Sequence, residues 1–300
     1  MPRMLRFSWV VLLGCGHASE PPKPVASHAS AVAAYKAKNY PLCAEQFTAN
    51  AKTVEKLLRP DELYSAACCH ALAGKPELAF ASLDEAASNG FKDFDGLSKD
   101  PDLIMLHADP RWMPALDRMR AHIAAREAAI KDPALRRELA DLVKNDQAAR
   151  MAYNAAVKAG GKGDFAAAET ADAATLIVLH RVVAASGWPG KTMVGDEGAH
   201  DAWLLVQHMD KDPAFQKQVL GLMKELVKTG EVEEVEYAYL YDRVAVAEHR
   251  KQLYGTQFGP HREPQPIEDE ANVDARRKAI GLGTMDEYRA QMQKIYGASK

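Results

Sequence analysis

The sequence predicts an all-α protein, a short array of helical hairpins followed by a separate helical domain. Three observations carry this expectation. No segment keeps a hydrophobic period of two for the length of a strand. From Leu135 to Tyr153 apolar residues recur at three- and four-residue steps, the period of one helix face. Nearer the amino terminus, Tyr40, Cys43 and Phe47 return 36 positions later as Pro76, Ala79 and Leu83. Across 300 residues the formal net charge is −3, which argues against the basic face of a nucleic-acid binder, and no nucleic-acid partner is expected.

The elements follow in order. Residues 1–15 combine a basic head (Arg3, Arg6), an apolar run over 7–13 and the ending Leu12-Leu13-Gly14-Cys15. That run is far short of the roughly 20 apolar residues a membrane span needs, so it reads as an export signal. It resembles the lipobox of bacterial lipoproteins. The resemblance implies that Cys15 is lipidated and becomes the first mature residue. With Gly16 rather than aspartate next, it also implies the outer membrane of a cell envelope, facing the periplasm. Residues 16–30, with Pro21, Pro22, Pro24, Ser27 and Ser30, are expected to form a flexible tether. Nothing later is long and apolar enough to span a bilayer, so membrane contact is expected through the lipid alone.

Residues 31–125 hold the 36-residue repeat. Leu63, Ala66, Ala67 and His70 mark one helix, Gly74 turns the chain, and Ala79, Leu83 and Ala86 mark the next. Small residues at Ala67, Ala79 and Ala86 allow two antiparallel helices to approach closely. The spacing resembles the tetratricopeptide repeat, which implies a groove for a protein or peptide partner. Adjacent Cys68 and Cys69 point to different sides of a helix and read as small buried residues, with pairing of Cys43 to one of them left open.

The segment 132–300 is expected to be the second domain. Asp132-Pro133 starts a helix running to about residue 158 and stopped by Gly160-Gly161. A second helix carries Leu176, Leu179, His180 and Val183 and ends at Gly187. A third covers about 199–209, Asp212-Pro213 opens a fourth that Gly230 closes, and a fifth spans about 235–250. Residues 253–267, with two glycines and three prolines, form an ordered loop, and Thr284 with Glu287 makes a capping box for the last helix.

Polar residues interrupt these apolar helices. Asp146 falls on the apolar stripe of the first, Ala202-Trp203-Leu204-Leu205-Val206 ends in Gln207-His208, and Asp242-Arg243 breaks the fifth. A buried unpaired charge costs several kcal/mol, so such groups should find one another. Asp146, Gln207, His208, Asp242 and Arg243 are therefore expected to form one interior cluster, with Gln147 and Arg150 close by. Trp188, Tyr254 and Gln257 would then line a cleft. After Asp132 the only serines are Ser186 and Ser299 and there is no cysteine, which disfavours a Ser or Cys nucleophile. No His-Glu-x-x-His occurs, and His200 and His208 lie about 12 Å apart along a helix, so neither a metal nor a cofactor is expected.

In order, Asp146-Gln147-x-x-Arg150, Gly187-Trp188-Pro189, Gly195, the 202–208 run, Asp242-Arg243 and Tyr254-Gly255-Thr256-Gln257 resemble a bacterial domain family of unknown function. The resemblance covers about 132–290 and implies a domain unit, but no reaction. The function expected is a lipid-anchored envelope protein whose repeats dock a partner and whose second domain binds a small ligand or peptide. The alternatives are a hydrolase or lyase using His208 as acid/base with Asp146, Asp242 and Arg243, and a structural scaffold.

Overall fold

A computed structural model describes residues 26–54, 58–161, 163–259 and 262–296. The signal over 1–15, with Cys15, and most of the tether lie outside the described residues. Among those described there is no β-strand, and two isolated bridges occur in the loop over 252–267. The fold is all-α.

The first half comprises α1 (His28–Lys36), α2 (Tyr40–Asn50), α3 (Arg59–Leu72), α4 (Pro76–Ser88), α5 (Phe94–Lys99), a 3₁₀ turn (Pro101–Leu106) and α6 (Trp112–Ala128). The last residues of the expected tether over 16–30 are helical. Ser27 and Ser30 cap α1 reciprocally, so helix begins at His28. Proline stands in the first turn of α2, α3 and α4, where its missing N–H costs nothing.

Helices pack in succession, α1 on α2, α2 on α3 and α3 on α4, and α4 packs on α6 in the same direction, with Glu77 beside Arg111, Asp84 beside Arg118 and Ser88 beside Arg126. Of the positions that recur 36 residues apart, Cys43 and Phe47 on α2 and Ala79 and Leu83 on α4 are all buried. Cys43 and Cys69 form a disulfide between α2 and α3, with Cα atoms 5.9 Å apart. Cys68, one residue earlier, is buried on another side of α3, 3.6 Å from an Asp100 carboxylate oxygen.

The second half comprises α7 (Pro133–Lys158), α8 (Ala166–Ser186), α9 (Lys191–Gln207), α10 (Pro213–Val227), α11 (Glu234–Ala247), a 3₁₀ turn (Glu270–Asn272), α12 (Val273–Ala279) and α13 (Met285–Tyr296). Asp132 and Asp212 each accept an N–H from three residues on and start α7 and α10. Helix α7 packs on α8 and α9, and α11 on α9 and α10. Their shared core includes Leu139, Leu179, Leu205, Phe215, Met223 and Leu240, each contributing roughly 1.5–3 kcal/mol by burial.

Two expectations change here. Helix α9 starts at Lys191, well before residue 199, and is broken at Gly195, whose φ of 76° and ψ of 170° are open essentially to glycine alone. A Cβ there would also lie 3.1 Å from the Ile130 side chain. Trp188, expected at a cleft, is 4 % exposed and packs in the core.

The halves keep separate apolar cores, two clusters within 31–119 and two within 135–285, of which those over 51–119 and 135–244 are the larger. No described helix of one half packs along a helix of the other. What joins them is the covalent linker near 129–132, two backbone bonds from Lys131 and Asp132 to the carbonyls of Thr192 and Met193 (3.3 and 2.8 Å), and ion pairs. Lys92 meets Glu197 at 2.7 Å and Arg126 meets Asp196 at 2.8 Å.

Candidate functional site

The expected single cluster separates into three. The first forms where α9 ends against α7 and α8. Asp146 is buried on α7, and its carboxylate accepts from Gln147 Nε2 (2.8 Å), Arg150 Nε (2.8 Å) and His208 Nδ1 (3.1 and 3.0 Å to its two oxygens). Burial pushes Asp146 up, but the bond and charge of His208, then those of Arg150, outweigh it and hold the carboxyl below its ordinary value. Arg150 also donates to Asp172 on α8, whose burial prevails over that pairing and pushes its carboxyl up. An ionised carboxylate can only accept, so Nδ1 of His208 carries the proton, and Nε2 is left without a protein partner among the described residues.

Asp172 escaped the sequence analysis, although the rule that found Asp146 applies to it. It interrupts the α8 stripe of Ala168, Thr175 and Leu179, all buried. Ligand atoms of Asp146, Asp172 and His208 lie within 4.8 Å of one another. The Arg150 guanidinium already bonds both carboxylates there, so a second cation would meet its charge.

The second cluster faces the other way from the same helix end. Gln207 Oε1 accepts from Arg243 Nε (2.9 Å), and Arg243 Nη1 donates to Asp210 (2.8 Å). Arg243 is thus partnered by Asp210, not by Asp146 or Asp242. The residues are adjacent in the chain, but successive positions on a helix point about 100° apart. The same angle sends Asp242 away from Arg243.

Asp242, 0 % exposed, forms the third group. Its carboxylate accepts the N–H groups of Leu253 (2.7 Å), Tyr254 (3.1 Å) and Thr256 (3.0 Å) and the Thr256 hydroxyl (3.0 Å). Gln252 adds bonds to Gln257 and Gln265, and Arg277 donates to the Tyr254 carbonyl at 2.6 Å. Tyr254 and Gln257, expected at a cleft, are instead parts of this pinned loop, and Gln257 Nε2 donates to Thr256 Oγ1. Asp242 is a template for a turn and takes no part with His208.

None of the cavities described here is lined by Asp146, Asp172 or His208. Three of them lie along the junction of the halves, and a fourth, about 510 Å³, lies within the first half by Ala51, Arg59, Leu63 and Glu85. One of about 460 Å³ runs between Lys92, Arg126 and Ile130 on one side and Arg136, Lys191 and Glu197 on the other. It shares Lys92, Arg126, Asp196 and Glu197 with a neighbour of about 260 Å³. A third, about 540 Å³, lies between Arg59 and the pair Trp203 and Tyr239, whose rings meet at 90°. The Gly195 break aims Asp196 and Glu197 at the first half. No motif in the sequence pointed to this groove, because its walls come from segments some 100 residues apart.

A family model described as a family of unknown function (DUF6624) matches residues 133–300, which begin where α7 begins. No curated protein and no solved structure matches the chain.

Proposed function

From the premise that the chain belongs to this family of unknown function, we propose that the protein is an exported binding protein holding a small polar ligand between its halves. One observation carries the proposal: three cavities, of about 460, 260 and 540 Å³, open on the junction, while none of them is lined by Asp146, His208 or Asp242. Ligand sites favour such junctions, and about 300–1,000 Å³ is their usual size. Of the joining ion pairs, Lys92–Glu197 is exposed and contributes about 0–1 kcal/mol, and Arg126–Asp196 is half-buried. With no described helix packed along another across the join, the halves can part to admit a ligand.

Export and anchoring belong to the same proposal. The lipobox-like Cys15 supports a lipid anchor at the outer membrane, and the Cys43–Cys69 disulfide supports an oxidising compartment. No described helix is long and apolar enough to cross a membrane. The successive hairpins of the first half support a tetratricopeptide-like docking role for a protein or peptide partner. Mass spectrometry of the envelope fraction tests the address, where a mature amino terminus other than lipid-modified Cys15 refutes it.

A thermal-shift screen of the full chain against a metabolite set tests the groove. A stabilising compound should lose its effect on Ile130→Trp, which fills the groove, and keep it on His208→Ala. The converse pattern would move the site to His208. That second possibility rests on the Asp146–His208 pair, whose ring is oriented through Nδ1 and free at Nε2, the arrangement of a general base.

A further inference from the structure

The third junction cavity, about 540 Å³, has an aromatic wall and a cationic wall. The aromatic wall is Trp203 on α9 and Tyr239 on α11, whose ring centroids lie 6.0 Å apart at 90°. Both rings are held in place. Trp203 Nε1 donates to the Glu236 carbonyl at 2.8 Å, and Tyr239 meets the Tyr288 ring at 83°. Two rings at a right angle leave a corner in which a third ring stacks on one and meets the edge of the other. Val235 and Ile280 add apolar surface beside them.

The cationic wall is Lys52 and Arg59 of the first half. Lys52 is exposed, and its ammonium has no partner among the described residues. Arg59 commits Nε to the Ala51 carbonyl at 2.9 Å, which positions the guanidinium and leaves both Nη groups without a partner among those residues. Glu85, which lines the neighbouring cavity with the same two cations, pairs with neither. The carboxylates of the 540 Å³ cavity are engaged within the second half, Glu233 with Lys191 at 2.5 Å and Glu236 with His200 at 2.9 Å. Unlike the ion-paired groove by Ile130, this cavity therefore holds two cations that no carboxylate has taken up. The Nη pair of Arg59 presents two parallel N–H groups, the geometry that grips both oxygens of a carboxylate. We propose that this cavity binds a flat aromatic carboxylate, its ring in the Trp203–Tyr239 corner and its carboxylate on Arg59 with Lys52 beside it. The site shares no lining residue with the groove by Ile130, so it stands or falls without that groove.

Calorimetric titration of the full chain with indole-3-acetate, its uncharged amide and cyclohexylacetate tests it. Indole-3-acetate should bind, and the amide should bind about tenfold more weakly for want of a charge-assisted contact. Cyclohexylacetate, which keeps the charge and loses the aromatic contact, should bind about two- to tenfold more weakly. Arg59→Met should weaken indole-3-acetate about tenfold and leave the amide unchanged. Because that change also removes the Ala51 bond, Lys52→Met repeats the test on an exposed side chain, with a loss of about two- to fivefold. Tyr239→Leu should weaken both indoles and spare cyclohexylacetate. Equal binding of acid and amide, equal binding of indole-3-acetate and cyclohexylacetate, or no binding at millimolar concentration overturns the assignment. So does indole-3-acetate binding that is unchanged in both Arg59→Met and Lys52→Met. Ile130→Trp should leave indole-3-acetate binding intact. Its loss there would move the ligand to the groove and overturn this site while supporting that one.

Discussion

Replacing Asp242 with alanine is expected to destabilise the protein by about 2–4 kcal/mol, mostly through the loop over 252–257. The side chain is fully buried and accepts from three backbone N–H groups and one hydroxyl. Leaving a buried donor unpaired costs roughly 1–3 kcal/mol, so four donors set an upper bound near 12. Two effects reduce it. The N–H groups of Leu253 and Tyr254 are only partly buried, so water can replace the lost acceptor, whereas those of Thr256 are sealed. Removing the carboxylate also removes its own burial cost, which pushes it above the ordinary carboxyl range despite the donors. Asp242→Asn keeps the shape and one acceptor oxygen and should cost about half as much. Urea unfolding gives the total, and amide exchange at Leu253, Tyr254 and Thr256 localises it. A loss below about 1 kcal/mol, the size of an ordinary surface change, would refute the template role. So would unchanged exchange at those three amides.

Three further outcomes are expected. Cys43→Ser should lower stability by about 3.5 kcal/mol, the loop-closure value for a cross-link spanning 26 positions, and calorimetry with and without reductant checks it. Asp146 titrates below its ordinary value, so its stabilisation is present above about pH 4 and is lost as pH falls through the folded value. Asp172 is shifted upward and acts with the opposite sign, its contribution falling as pH rises from about 4 through its folded value. Urea midpoints at a series of pH values should therefore lose their acid arm in Asp146→Asn, which also leaves Arg150 and His208 short of an acceptor and costs about 3 kcal/mol at neutral pH. Gly195→Ala forces a side chain into a backbone region almost reserved for glycine and should cost about 1–3 kcal/mol by thermal unfolding.

Much of the helical order was legible because the signals were local. Asp132-Pro133, Asp212-Pro213, Gly187 and the Thr284–Glu287 box each act within one turn, and each ends or begins a helix where expected. Helix α9 was misplaced at its start because a glycine with positive φ interrupts it without ending it. For the polar residues, burial was correctly inferred at Asp146, Gln207 and Asp242, but not their partners. Periodicity says that a residue faces inward and not which helix it faces. Gln207 and His208 look toward different neighbours, and Asp242 satisfies its charge on backbone N–H groups that no side-chain pattern reveals. The groove was invisible for a related reason. It is made by the mutual placement of two separately cored halves, and its charged residues read along the chain as ordinary solvated surface.

The slender join between those halves has a mechanical consequence. Tension applied between the two ends of the chain loads a linker, two backbone bonds and a few wet ion pairs before it loads either core. The halves therefore part before either of the two main apolar cores is breached. Because the surfaces so exposed are already charged and hydrated, they can close again without refolding, which makes the join a breakaway coupling that spares both cores under strain.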